Sequence, residues 1–111
     1  ECNQFAYSFF KLIRSYLYHN FINTVSFSKL MEFGCRPSHN IVYFANKDSS
    51  KQYVGLDWAH SSQKIIDCIR ENHSYNIGGH NFDFFNFDEN LNINEETIIV
   101  SIGALEQIQK D

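Results

Sequence analysis

Lysine and arginine are absent from residues 71–105, proline occurs once (Pro37), and cysteine occurs three times, at Cys2, Cys35 and Cys68. An odd, sparse cysteine set with no even framework excludes a disulfide-stapled secreted scaffold and favours a reduced cytosolic chain. The most apolar stretch, residues 5–22, is interrupted by Lys11, Arg14 and His19. A membrane span needs roughly 20 nearly uncharged residues, so no membrane role is expected. The first residues, Glu1-Cys2-Asn3-Gln4, lack the basic start and uninterrupted apolar run of a secretory signal, so none is expected. A net charge of −4 argues against a dedicated nucleic-acid binder, which would carry a basic excess.

What is present is a 111-residue chain that is 43% hydrophobic and 16% aromatic, enough for one folded domain over residues 1–111 with a real core. Twelve Asn, twelve Ile and eleven Phe stand against four Ala, a bias that fits an AT-rich gene. No repeat, linker or low-complexity tract divides the chain.

Apolar positions at Phe5, Phe9, Leu12, Ile13, Tyr16, Leu17 and Phe21 predict a helix over 4–22, with Lys11, Arg14 and Ser15 on its wet face. A short helix is expected over 28–33, ended by Gly34, with Pro37 keeping Arg36 out of helical geometry. Runs 40–46 and 52–58, joined by the polar loop 47–51, predict a hairpin. Residues 60–72 read as a helix with Ile65, Ile66 and Ile69 on one face and Ser61 or Ser62 as its cap. A glycine turn at Gly78-Gly79, a bulged strand over 80–88, a last strand over 97–102 and a terminal helical turn over 104–109 complete the order ααββαββ. The expected class is therefore α+β, a mostly antiparallel sheet covered by helices.

No catalytic signature emerges. Cys35-x3-His39 and Cys68-x4-His73 have short metal-like spacings but no knuckle, and the cysteines read as core. Asp57 and His60 flank a strand-to-helix turn, where Asp57 is expected to cap the helix. Ser61 and Ser62 lack a nucleophile elbow. Gly78-Gly79 matches no phosphate-binding fingerprint. No metal and no cofactor are expected.

Charge distribution carries the functional expectation. Residues 1–70 hold a net +3 and residues 71–111 a net −7. Asp83, Asp88, Glu89, Glu95 and Glu96, with Phe85 and Tyr75, make an acidic, aromatic segment suited to a basic protein surface. In its Asp88-Glu89 and Glu95-Glu96 runs, its Phe-rich 81–87 stretch and its lack of a catalytic signature, the chain resembles bacterial immunity proteins of polymorphic or contact-dependent-inhibition toxin systems. The resemblance implies a cytoplasmic, non-enzymatic inhibitor that holds a cognate toxin, a basic nuclease domain, without touching nucleic acid or membrane. Two other readings remain open: a small ribonuclease or toxin domain using His60, His73 or His80 for acid–base chemistry, and an adaptor pairing through a sheet edge.

Overall fold

The computed structural model describes residues 2–105 and 108, with side chains from residue 8 onward. Helix α1 (Cys2–Asn20) and a 3-10 turn (Ile22–Thr24) lead into strand β1 (Lys29–Phe33). Helix α2 (His39–Lys47), strand β2 (Gln52–Asp57), helix α3 (His60–Asn72), strand β3 (Ile77–Asn81) and strand β4 (Thr97–Val100) follow. The sheet has the order β3-β2-β1-β4, and every pair in it is parallel.

This overturns the mostly antiparallel sheet and the ααββαββ order. Of the expected helix over 28–33, residues 29–33 form strand β1, and 40–46 lie inside helix α2. Parallel neighbours cannot be joined by a tight hairpin; each needs a crossover, and α2 and α3 supply the two crossovers from β1 through β2 to β3. In 40–46 the buried residues are Ile41, Phe44 and Ala45, a helical stripe rather than an alternating one. Gly78 and Gly79 lie within β3 and form no turn, whereas Phe84, Phe85 and Phe87 sit in the irregular stretch after it. The expected terminal turn over 104–109 falls partly outside the described residues.

Strand β1 alternates its faces. Leu30 joins Tyr53, Ile77, Ile41, Phe44 and Ile66 in the main core beneath the three helices. Met31 and Phe33 point to the other face, where Leu56, Val54, Phe82 and Leu91 cover them. That second face is thinly covered: Ile99, in register with Met31, is 52% exposed.

Glycine is required at position 55 in the middle of β2. A Cβ there would lie 2.7 Å from Cys35 Sγ and 2.8 Å from the Cδ1 atoms of both Ile41 and Ile66. The missing side chain is what lets α2 and α3 settle side by side on the strand.

The wet face expected for α1 is not the one observed. Arg14 is only 7% exposed, while Phe9, Leu12 and Tyr16 face outward. Arg14 turns inward because its guanidinium lies over the Tyr43 ring at 5.9 Å and within electrostatic reach of buried Glu32. Among the described residues, no helix is long and apolar enough to cross a membrane.

Candidate functional site

Parallel strands deliver all their C-terminal ends to one rim of the sheet. From β1 the chain winds outward through β2 and β3, then returns to place β4 on the opposite side of β1. The strand order therefore reverses between β1 and β4, and above such a point the diverging connections leave a crevice. A groove of about 670 Å³ lies there. One residue group from each strand end reaches it: Gly34, Arg36 and Pro37 after β1, Asp57, Trp58 and Ala59 after β2, Asp83, Phe84 and Phe85 after β3, and Ala104 after β4.

Its walls combine flat apolar surface with a few acceptors. Trp58 is 77% exposed, a large aromatic left in solvent at the end of β2. Phe84 stands edge-on to Phe82 at 5.1 Å, and Phe82 in turn packs on Phe33 at 4.9 Å, which braces this wall from the second core. Asp57 is buried at the rim. Its Oδ1 accepts from the Ala59 N–H at 2.9 Å and its Oδ2 from the Arg36 N–H at 2.9 Å. Ala59, not Ser61 or Ser62, is the residue that caps α3, and no side-chain cap bond is made there. Asp83 Oδ1 accepts from the Phe85 N–H at 2.9 Å, which curls the chain so that both residues line the groove.

The turn from 34 to 38 separates this groove from a second compartment of about 370 Å³ lined by Arg14, Glu32, His39 and Asn40. Glu32 is 1% exposed. Burial is the main cause that pushes its carboxyl up to about 8, opposed by the Asn40 hydrogen bond and by Arg14, and reinforced by Asp57. Glu32 Oε2 has no hydrogen-bond partner in this structure. That oxygen leaves one unmet hydrogen-bonding group in the compartment that Arg14 also lines.

The residues singled out from sequence are divided by the fold. Asp83 and Phe85 meet at the groove. Asp88 lies beside β3, its Oδ2 3.3 Å from His80 Nε2. Its carboxyl is held below the usual range chiefly by the Asn90 backbone and side-chain hydrogen bonds. Glu89 is exposed in the stretch between β3 and β4. Glu95 and Glu96 are exposed at the opposite end of the sheet, where the Glu96 carbonyl accepts from the Ser28 N–H at 2.9 Å. Tyr75 precedes β3 and stacks on His73 with ring centres 5.3 Å apart. Of the three candidate histidines, His60 opens α3 and His73 follows its end, a separation of about 20 Å along a 13-residue helix, while His80 lies on β3 against Asp88. Among the described residues, no group of three His, Cys, Asp or Glu side chains is placed to hold a metal ion.

The sequence did not mark Gly34, Arg36, Asp57 and Trp58 as members of one groove. The usable signal was a glycine turn after one strand followed roughly 20 residues later by an acid at the end of the next.

A crevice over the switch point of a parallel sheet is where open α/β folds commonly place their ligands, and it defines the class of fold rather than a particular protein. No family model matches the chain, and no curated protein matches it. Among solved structures, the chain is similar to PKMT2 from Rickettsia typhi in complex with AdoHcy, with a TM-score of 0.61 and 18% identity. The likeness covers 75% of this chain and 16% of the neighbour, so the chain spans about a sixth of that protein's length. At that identity it establishes a shared fold.

Proposed function

We propose that the groove binds an S-adenosyl nucleoside, AdoHcy or its methyl-bearing form AdoMet, and that the chain supplies the cofactor-binding half of a methyl-transfer site. The observation that carries this reading is the meeting of buried Asp57, exposed Trp58 and the Gly34 turn at the switch point of an all-parallel sheet. The fit is favourable on the chain's own residues. A groove of about 670 Å³ is in the range of small-molecule sites. Trp58, Phe84 and Phe85 offer faces for a purine ring. Asp57 and Asp83 offer acceptors for ribose hydroxyls and an exocyclic amine. AdoMet, when bound, supplies an electrophilic methyl on a sulfonium. The ligand held by the structural neighbour agrees with this assignment. Cys35 and Cys68 are free thiols, consistent with a cytoplasmic setting.

Calorimetric titration with AdoHcy tests the proposal. Saturable one-to-one binding, competed by AdoMet and not by NAD, is expected. Absence of binding at millimolar AdoHcy, with the fold intact by circular dichroism, overturns it.

A separate reading is favoured by one observation, the exposure of Glu89, Glu95 and Glu96 alongside Phe87 and Ile93. On it, the segment between β3 and β4 docks a basic toxin domain as an immunity protein does. Charge reversal at Asp88, Glu89, Glu95 and Glu96 would then slow association with a cationic nuclease most at low salt, leaving AdoHcy binding untouched.

A further inference from the structure

We propose that Asp57 is a positioning residue, whose carboxylate latches the strained turn between β1 and α2 onto the start of α3 and so fixes the wall dividing the two compartments. The turn is unusual in its backbone. Gly34 has φ +74°, Arg36 +46° and Ser38 +69°, so left-handed geometry recurs at alternate positions, two of them non-glycine. Such conformations persist only where surrounding contacts hold them. The backbone donors show which contact does so here. The N–H groups of Gly34 and Cys35 both reach the Leu56 carbonyl, at 2.7 and 3.3 Å, and the Ser38 N–H reaches the Cys35 carbonyl at 2.9 Å. Pro37 has no N–H to offer. Among the backbone N–H groups of this turn in the described residues, that of Arg36 is held by a side chain, Asp57, 2.9 Å away.

Asp57 is itself immobilised. Its other carboxylate oxygen holds the Ala59 N–H at 2.9 Å, and its backbone carbonyl accepts from the Phe82 N–H at 2.9 Å and from the Gln63 side-chain amide at 3.2 Å. One buried carboxylate therefore ties the connections after β1 and β2 together, while the same residue's backbone anchors the connection after β3. Gly34, Arg36 and Pro37 line both compartments, so whatever fixes this turn sets the shape of each. Asp57 then governs ligand affinity through the wall, in addition to any direct contact. The inference rests on the nucleoside reading for its ligand arm alone.

The test is a set of variants, Asp57→Asn, Arg36→Gly and Arg36→Ala, with the two doubles. Asparagine removes one of the two latching acceptors. Glycine at 36 relieves the left-handed geometry, whereas alanine removes the same charged side chain and keeps the strain. Amide exchange of Arg36 is read first, without ligand. The wild-type amide is expected to exchange at least about tenfold more slowly than an open-chain amide and to lose that protection in Asp57→Asn. AdoHcy affinity is read second. Asp57→Asn should weaken it at least about tenfold, Arg36→Gly should recover most of that loss in the double, and Arg36→Ala should recover none.

An unprotected Arg36 amide in the wild-type protein overturns the latch, and that measurement decides the matter if Asp57→Asn does not fold. Equal loss of affinity in all three backgrounds also overturns it, because Asp57 would then act by direct contact alone. If wild-type protein binds no AdoHcy, the nucleoside reading fails, while the exchange measurement still decides the latch.

Discussion

Oε1 of Glu32 accepts a hydrogen bond from the Asn40 side-chain amide at 2.7 Å, while Oε2 of the same carboxyl is buried without a partner. Burial raises this group to about 8 from an ordinary value of 4.5, so the folded protein keeps the proton at neutral pH. Below 4.5 both folded and unfolded chains are protonated, and Glu32 contributes no pH dependence. Between 4.5 and about 8 the unfolded chain releases a proton that the folded chain retains, so stability falls as pH rises. The slope from this group approaches about 1.4 kcal/mol per pH unit and levels off above the folded value. Glu32→Gln keeps an acceptor for Asn40 and removes the titration. Denaturant unfolding from about pH 5 to 8 should show a flatter profile for the variant. Parallel profiles would show that Glu32 ionises normally in the fold.

Gly55 predicts a second effect, confined to packing. Gly55→Ala places a methyl against Cys35 Sγ, Ile41 Cδ1 and Ile66 Cδ1, all within 2.8 Å, and none of the three residues is exposed enough to swing aside. Overpacking of this kind costs about 1–3 kcal/mol. Ile66→Val deletes one of the opposing methyls, so the double variant should lose less than the sum of the singles. Additive losses, measured by thermal or denaturant unfolding, would locate the clash elsewhere.

Legibility of the fold followed local periodicity. Residues 60–72 were readable as α3 because Ile65, Ile66 and Ile69 recur at helical spacing, and β4 because Thr97-Ile98-Ile99-Val100 is β-branched. Segments 28–33 and 40–46 exchanged identities. Ile41-Val42-Tyr43-Phe44 has strand-like composition, yet it must cross between parallel strands, and that tertiary demand outweighs propensity. Strand β3 carries Gly78 and Gly79 and little strand propensity, so the Phe-rich stretch after it drew the assignment instead. The site was hidden for a related reason. Its members come from the ends of four strands, and only a parallel arrangement brings those ends to one rim. The polarised charge was visible in the sequence, but the fold sends Asp83 to one end of the sheet and Glu95 and Glu96 to the other.

Two cysteines should differ sharply in reactivity. Cys35 is buried under Ile41 and Gly55, and burial, with Glu32 and Asp57 nearby, pushes its thiol up to about 12. Cys68 is exposed on α3. Because the thiolate is the nucleophile, iodoacetamide at neutral pH should label Cys68 in the native protein and reach Cys35 only after unfolding. Peptide mapping by mass spectrometry gives the answer residue by residue. Early labelling of Cys35 would mean that the 34–38 turn opens readily.

Trp58 separates function from stability most cleanly. At 77% exposure it buries too little surface to matter to folding, and Trp58→Ala should shift unfolding free energy by less than about 0.5 kcal/mol. Its position at the groove gives it a different weight for a bound purine, because stacking of a base on an aromatic ring is worth about 1–3 kcal/mol. Affinity for AdoHcy should therefore fall by about 5- to 150-fold, with Trp58→Phe recovering part of it. Calorimetry on the two variants reads the affinity, and denaturant unfolding reads the stability. Unchanged affinity in Trp58→Ala would move the purine to the Phe84 and Phe85 side of the groove, while a large stability loss would make Trp58 part of the core rather than of the site.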